Sequence, residues 1–418
     1  MFAEHVKEDL HNCLRCGMCQ PVCPTYAVTR MERYAPRGRV QMVKKYLEGD
    51  LSITQGLHEA LMSCTLCESC AQACHSGVRL DRVFENMRME LHEALGGGFA
   101  KRTLFAALQN PMLARLGAKV VRMGQRVVVA PLNIGWRVGK IPLNRFPSFN
   151  SIPFRESAGE LVPPKGKRKG RVLYFTGCAT NFINEHVGRA VVEVLTHLGI
   201  EVYIPRGQVC CSVPIFLSGA RREALSNVKR NVALLDRSDV DAIVVDCATC
   251  GGGLKKAIPH LMEDLSLDGE QARRVAAKVR DVSEIVAERL DELELEKRSP
   301  NNRIRVTYHD PCHLVRSMKI AKEPRRILGA LEDVEFVEMA GADQCCGGAG
   351  SFQFEHVELS AGVTARKKDM IRATGGHLVA TGCPGCNLTL RGNLSREDDP
   401  QVKHPVELVR DRLRQRQR

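Results

Sequence analysis

Apolar and polar positions recur along this chain with two different periods. In residues 1–95 the spacing is helical. Residues 39–47 set apolar positions at helical intervals, and Gly49 stops them. Val83, Met87, Leu91 and Leu95 recur every four residues, and Gly96-Gly97-Gly98 end that helix. Beyond residue 170 the pattern changes. Short β-branched or apolar runs begin at Val172, Ala242, Val306 and His377, and helical stretches such as 187–198 and 359–371 separate them. Alternating strands and helices predict parallel sheets covered by helices. Ligands then collect at the carboxyl ends of the strands. Residues 96–170 carry scattered Pro and Gly and end in Pro163-Pro164-Lys165-Gly166-Lys167-Arg168-Lys169-Gly170. They read as a connector, with helix possible over 105–121.

The C-terminal part is an internal duplication. Val172-Leu173-Tyr174-Phe175 followed by Gly177-Cys178 matches Val306-Thr307-Tyr308-His309 followed by Pro311-Cys312. Cys210-Cys211 matches Cys345-Cys346, and Cys247-Ala248-Thr249-Cys250 matches Cys383-Pro384-Gly385-Cys386. The three offsets are 134, 135 and 136 residues, so the repeats run 171–300 and 301–418. At roughly 100–200 residues per domain, 418 residues agree with this division.

Charge sharpens the picture of the connector. Residues 1–95 hold 11 Lys and Arg against 12 Asp and Glu, and 171–418 hold 36 against 34. Residues 96–170 hold 14 against 2, so nearly all of the net +13 lies there. Such a segment is either solvated or a docking surface for an acidic partner or an anionic membrane face. No apolar run approaches the ~18 residues of a membrane span. The start, MFAEHVKEDLHNC, lacks the apolar core of a secretory signal. An integral membrane protein is therefore not expected. A cytoplasmic protein is, with peripheral contact to the inner face of the cell membrane as one role for the basic segment. One Trp and six Tyr argue against base stacking and nucleic-acid binding.

Cysteine carries the chemistry. Eighteen Cys make up about 4% of the chain, too dilute for a small disulfide scaffold and too many for an ordinary enzyme. Cys13-x-x-Cys16-x-x-Cys19-x-x-x-Cys23 and Cys64-x-x-Cys67-x-x-Cys70-x-x-x-Cys74 have the spacing of bacterial two-cluster ferredoxins. Three cysteines wrap one cluster, and the fourth, at the start of the next helix, crosses to the other. One [4Fe-4S] cluster is expected on Cys13, Cys16, Cys19 and Cys74, the other on Cys64, Cys67, Cys70 and Cys23. Zinc is the alternative, but it favours paired CxxC ligands. Pro24 follows Cys23 whereas His75 follows Cys74, where it either bonds to a cluster sulfide or is a tolerated replacement. Arg15 and Arg37 either tune the potential or face water.

The other ten cysteines form two five-residue sets: Cys178, Cys210, Cys211, Cys247 and Cys250, then Cys312, Cys345, Cys346, Cys383 and Cys386. Five thiolates exceed what one cubane or one zinc requires, and adjacent cysteines suit neighbouring irons. A metal or redox site is expected in each repeat, with one cluster plus a structural zinc as the alternative. Ser212 stands where the second repeat has Gly347, which makes the first site the less regular. His309 and His313 flank Cys312, either relaying protons to a substrate or serving structure.

The whole chain resembles the iron–sulfur subunit of bacterial glycolate oxidase and D-lactate dehydrogenase. Cys19-x-x-x-Cys23-Pro24-Thr25-Tyr26 and Pro36-Arg37-Gly38-Arg39 carry that likeness. The double-cysteine repeats are similar to the CCG domains shared with the heterodisulfide reductase catalytic subunit. The resemblance implies an α+β multidomain protein: a helical ferredoxin-like domain with two [4Fe-4S] clusters, the 96–170 connector, and two α/β CCG domains with parallel sheets. It also implies that the ten repeat cysteines hold non-cubane [4Fe-4S] clusters. A 2-hydroxy acid loses two electrons together, whereas such clusters accept one at a time, so a flavin must convert between them. No G-x-G-x-x-G opens a helix after a strand, and Gly251-Gly252-Gly253 follows a CxxC instead. An FAD-containing partner subunit is therefore expected, with a quinone or another carrier as electron acceptor. The alternative is a disulfide reductase acting at the five-cysteine sites.

Overall fold

The computed structural model describes residues 2–124, 137–138, 141–142, 148–296, 303–394 and 396–413. The N-terminal unit is a packed set of helices: α1 (Glu4–His11), α2 (Pro24–Thr29), α3 (Pro36–Leu47), α4 (Gln55–Met62), the single turn α5 (Ser69–Gln72) and α6 (Leu80–Leu95). Prolines open α2 and α3, where a missing N–H costs nothing. The four-residue stripe of α6 buries Val83, Met87 and Leu91 against Leu57 and Leu61 of α4. Leu95, the last member of that stripe, is exposed, because Gly96 turns the chain away at a φ of 69°.

The basic segment is more ordered than a simple connector. It holds helices α7 (Phe99–Gln109) and α8 (Pro111–Gly124), broken at Asn110-Pro111 because proline disfavours helix at the residue before it. A pair of two-residue antiparallel strands follows, β1 (Arg137–Val138) and β2 (Ile141–Pro142). No helix among the described residues is long and apolar enough to cross a membrane.

Two sheets follow. The first contains β3 (Leu161–Val162), β4 (Gly170–Phe175), β5 (Ile200–Tyr203), β6 (Ala242–Val245) and β7 (Val279–Asp281), in the order β3-β5-β4-β6-β7. All pairings are parallel except that of β3 with β5. The second contains β8 (Ile304–Tyr308), β9 (Val334–Val337), β10 (Leu378–Ala380) and β11 (Gln401–Lys403), in the order β11-β10-β8-β9, all parallel. Without β3 the two orders are the same, as the duplication requires. The first sheet begins earlier than residue 171: β3 and the buried Phe154 lie in the stretch read as connector.

The repeats share a core. The helix α9 (Glu185–His197) buries Val187, Val191 and Val194 with Ile327, Val406 and Val409 of the second repeat. The C-terminal helix of the second repeat therefore completes the interior of the first. The helical unit is fastened to the first repeat by Asp264, at the end of the helix Ile258–Asp264. Its carboxylate accepts hydrogen bonds from Arg82, from Arg221 at 2.8 Å and from Asn86 at 3.2 Å, with His5 at 3.1 Å. Asp264, Arg82 and Arg221 are all buried.

Burial alone would raise the Asp264 carboxyl, but the Arg221 and Arg82 guanidiniums outweigh it and hold it below the ordinary carboxylate value. Asp264→Ala strands two buried cations and should cost about 3–5 kcal/mol, read as a lower melting temperature. The pair's contribution is complete above the unfolded carboxyl value of about 3.9 and is lost as pH falls through the lower folded value. Acid titration of wild type should therefore show a loss that Asp264→Ala lacks.

Candidate metal centres

The cysteines gather where the topology expects ligands. In each repeat the first and third strands lie side by side, β4 with β6 and β8 with β10, and the strand order reverses there. Cys178 and Cys312 open short helices after β4 and β8, and Cys247 and Cys383 are the N-caps of helices after β6 and β10.

In the helical unit the fourth cysteine of each box does cross. Cys13, Cys16, Cys19 and Cys74 line one small cavity, with Arg37 and Val40. Cys64, Cys67, Cys70 and Cys23 line another, with Thr25 and Arg39. Only Cys23 sits at a helix start. Cys74 is followed by a turn, and α6 begins at Leu80, because His75 does not preset a helical φ as Pro24 does. His75 is exposed. Arg37 is held by Glu32 at 2.7 Å.

The two loops share one backbone device. Arg15 and Gly17 in the first loop, and Leu66 and Glu68 in the second, are left-handed at matching positions. For Leu66 and Glu68 this costs roughly 1–2 kcal/mol each. One return is visible: the Leu66 N–H donates to Cys64 Sγ at 3.4 Å. The repeats use the same device. Gly347 N–H donates to Cys345 Sγ at 3.4 Å, with φ 91°. Ser212 takes φ 72° at the matching place, so its side chain does not alter the first site's backbone.

Within the repeats all ten cysteines converge in two adjoining groups. Cys178 reaches Cys210, Cys210 reaches Cys211, and Cys211 reaches Cys250. In the second repeat Cys346 Sγ lies 3.5 Å from Cys386 Sγ. Cys247 and Cys383 join the groups, Sγ to Sγ, at 4.0 Å. Cys312 completes the second group at its edge towards Cys67. Cys67, Cys345 and Val363 form one buried cluster, with Cys312 packed on it. The Cys64 group of the helical unit and the two repeat groups thus adjoin one another in series.

His309 belongs to this site and His313 does not. His309, Cys346 and Cys386 bring their ligand atoms within 4.8 Å of one another. Its Nδ1 pairs with the Ala342 carbonyl at 3.2 Å, and its Nε2 is buried without a partner. His313 faces the junction with the first repeat, beside Gly252. Gly251 and Gly252 serve that junction: a Cβ on Gly251 would lie 2.2 Å from Met318 Sδ, so these glycines let the helix after Cys247 approach the helix after Cys312, whereas Gly253 packs on Val213 of its own repeat.

Buried cations accompany the sulfurs, and sequence reading missed their grouping. Arg39 donates to Ala60 O at 2.7 Å and to Thr25 Oγ1 and Ser63 Oγ at 3.2 Å, close to Cys23. Arg88 donates to the carbonyls of Leu61, Met62, Cys64 and Leu217. Arg155 donates to Gln208 O beside Cys178 and Cys210, and burial pulls its pKa down to about 10. Lys367 donates to Gly341 O at 2.7 Å and Ala342 O at 3.2 Å, just ahead of Cys345, and burial lowers it to about 8. A signal for Lys367 exists in the sequence: it interrupts the apolar stripe Val363, Lys367, Ile371 of the helix Val357–Ala373.

Burial pushes the Cys23 and Cys70 thiols upward, and Cys19 to about 11. The second cysteine of each adjacent pair behaves oppositely. Hydrogen bonds from Cys210 and Cys250 hold Cys211 well below its usual value, and those from Cys345 and Cys386 do the same for Cys346. Sulfur-only donor sets suit iron–sulfur clusters or zinc. Four sulfurs around each ferredoxin-type cavity fit a [4Fe-4S] cluster, and five per repeat exceed the four ligands of zinc.

Fold and donor sets together define an iron–sulfur protein: a two-cluster ferredoxin-type unit joined to a duplicated cysteine-rich α/β unit. Family comparisons agree, matching a 4Fe-4S dicluster domain at residues 9–78 and the Cysteine-rich domain (CCG) at 172–255 and 306–391. The chain is 31% identical over 417 residues to the probable glycolate oxidase iron–sulfur subunit of Bacillus subtilis, covering 95% of this chain and 92% of that one. It is 30% identical to a fumarate reductase (CoM/CoB) subunit of Methanothermobacter marburgensis, covering 96% and 72%. It is 27% identical to a dihydromethanophenazine:CoB–CoM heterodisulfide reductase subunit of Methanosarcina mazei, covering 97% and 94%. The chain belongs to the family of the glycolate oxidase iron–sulfur subunit.

The two repeats should respond differently to exchange of their Ser and Gly. A Cβ on Gly347 would lie 2.3 Å from Thr364 Oγ1 and 2.9 Å from the Ser360 carbonyl. Gly347→Ser should cost about 2–4 kcal/mol, from left-handed strain plus overpacking. Ser212 is buried with its hydroxyl unpartnered, so Ser212→Gly should be neutral or stabilising by about 1 kcal/mol. Thermal melts of both variants check this.

Proposed function

We propose that this chain is the iron–sulfur electron-transfer subunit of a flavin-dependent 2-hydroxyacid dehydrogenase acting on glycolate or D-lactate. It takes electrons from an FAD-containing partner subunit and delivers them to a quinone or another carrier. The observation that carries this reading is the adjoining of three sulfur groups, one in the helical unit and one in each repeat. Cys67 lies against Cys345 and Cys312, and Cys247 faces Cys383 at 4.0 Å. A storage or structural site needs no such series. The names of the relatives supply the substrate class.

On this reading Cys13, Cys16, Cys19 and Cys74 hold one [4Fe-4S] cluster, and Cys64, Cys67, Cys70 and Cys23 hold the second. Cys178, Cys210, Cys211, Cys247 and Cys250, and Cys312, Cys345, Cys346, Cys383 and Cys386, hold one or two further non-cubane clusters, with zinc in one repeat as the alternative. Bound there, the clusters supply one-electron exchange. The protein's own groups do the rest. Arg39, Arg88, Arg155 and Lys367 bring positive charge to buried, anionic sites. The burial of Cys67, Cys70, Cys345 and Cys346 keeps water away. His309 Nε2 is the group placed to hold a proton beside Cys346.

A second reading, a disulfide reductase of heterodisulfide type, is favoured by one feature: all ten repeat cysteines are present and the two groups adjoin. Under it, Cys346 and His309 lie where a disulfide would be cleaved.

The anaerobically purified chain should carry roughly eight irons from the ferredoxin-type sites alone, at about four per cluster. A colourless, zinc-only protein would overturn the reading. Alone it should not oxidise glycolate or lactate; robust oxidation without a flavoprotein would overturn the division of labour. Cys23→Ser should damage the cluster held by Cys64, Cys67 and Cys70, although Cys23 lies in the other box. Cys346→Ser should leave both cubane signals intact and abolish transfer to the terminal acceptor. Paramagnetic resonance with iron analysis separates these outcomes, and full turnover in Cys346→Ser would make the second repeat structural.

A further inference from the structure

A surface helix ordinarily turns its apolar stripe towards the core and its charges towards water. Helix α8 does the reverse. Ala114 and Ala118 lie on its half-buried side. Met112, Leu116, Val120 and Met123, at spacings of four, four and three, form a stripe on the opposite side, with exposures of 80%, 59%, 56% and 63%. Leu113 widens the stripe and is also exposed. Arg115, Lys119 and Arg122 flank it along one edge, with Arg115 paired to Glu156.

The helix sits on a fixed base. Phe105 of α7 is buried in the core of the first repeat, Gln109 donates to Glu223 O at 2.6 Å, and Asn227 donates to Leu108 O at 3.3 Å. Those contacts fix α7, to which α8 is joined at Asn110-Pro111, and the half-buried Ala114 and Ala118 leave the stripe on the outer side.

We propose that α8 is a membrane-surface helix that seats this chain on an anionic lipid bilayer. Charge selects the occupant. Residues 96–155 contain ten Lys and Arg and no Asp or Glu, and Arg115, Lys119 and Arg122 of α8 edge the stripe, with Glu156, the next acid in the chain, paired to Arg115. An apolar stripe edged by cations is what an interfacial helix presents to anionic headgroups. At 14 residues the helix is about 21 Å long, too short for the ~30 Å core of a bilayer, so it lies in the plane of the surface. The proposal rests on the proposed function only insofar as a quinone acceptor resides in that bilayer.

The test is sedimentation of the full iron-loaded chain with vesicles of mixed phosphatidylglycerol and phosphatidylcholine. Wild type should pellet with these vesicles at low salt and much less at high salt, and weakly with phosphatidylcholine alone. The double variant Leu116→Glu, Val120→Glu should lose about tenfold or more in vesicle affinity, with the visible absorption of its clusters and its melting temperature unchanged. Lys119→Gln, which spares the stripe, should lose about fivefold, on anionic vesicles only, as expected for ~1 kcal/mol per basic residue at such a surface. Failure of wild type to pellet with anionic vesicles overturns the proposal, as does unchanged binding by the double variant. If vesicles bind neither protein but the double variant no longer holds the flavoprotein, the stripe is a protein interface and the proposal is likewise overturned. Vesicle binding is read without turnover, so loss of 2-hydroxyacid activity with binding intact would count against the functional reading alone.

Discussion

Buried ionic contacts between the helical unit and the two sheets set the position of every sulfur site. Asp264 is enclosed by Arg82 and Arg221, with Asn86 and His5 completing its shell. A second set lies nearer the sites. Glu68, left-handed between Cys67 and Cys70, accepts from Lys256 of the first repeat and from Ser317 of the second, both at 2.7 Å. Lys256 also reaches Asp81 of α6 at 2.7 Å. One strained residue in a ligand loop thus touches all three units. Ion pairs of this kind are poor sources of net stability, because both charges lose water. What they provide is register: they decide that Cys67 meets Cys345 and Cys312 rather than solvent.

The duplicated unit is symmetric in fold and asymmetric in chemistry. Both repeats place cysteines at the reversal of strand order and lower the second thiol of the adjacent pair. The surroundings differ. Where the second repeat has His309, the first has Phe175. Asn231 bonds the Val209 and Cys210 carbonyls, much as Lys367 bonds those of Gly341 and Ala342. The first site is therefore walled by an aromatic ring and an amide, and the second by an imidazole and an ammonium. An imidazole stands beside the cysteines of the second repeat. That repeat is also the one in contact with Cys67.

The basic segment illustrates how composition and structure divide the information. Its charge and its scarcity of acids are plain in the sequence. Its order is not, because Pro and Gly suggest a loose connector. Two helices form there because Phe105 finds a place in the core of the first repeat, a long-range contact that no local pattern announces.

By itself the sequence determined the sulfur chemistry and the repeat architecture. Cysteine spacing is local, and so is the alternation of strands and helices, so both can be read residue by residue. It also carried the expected exchange of Cys23 and Cys74 between the boxes, because the spacing is that of two-cluster ferredoxins. Only the tertiary structure decided the rest. The 4.0 Å approach of Cys247 to Cys383 depends on Gly251 and Gly252, whose bare backbones admit a helix from the other repeat. The buried cations come from four separate elements and converge only on folding. Ser212 stands out in sequence as an irregularity, yet it takes the same left-handed turn as Gly347 because the fold overrides local preference there. Contacts between distant segments leave no periodic trace, and in this protein they are what brings sulfur sites of the helical unit and both repeats side by side.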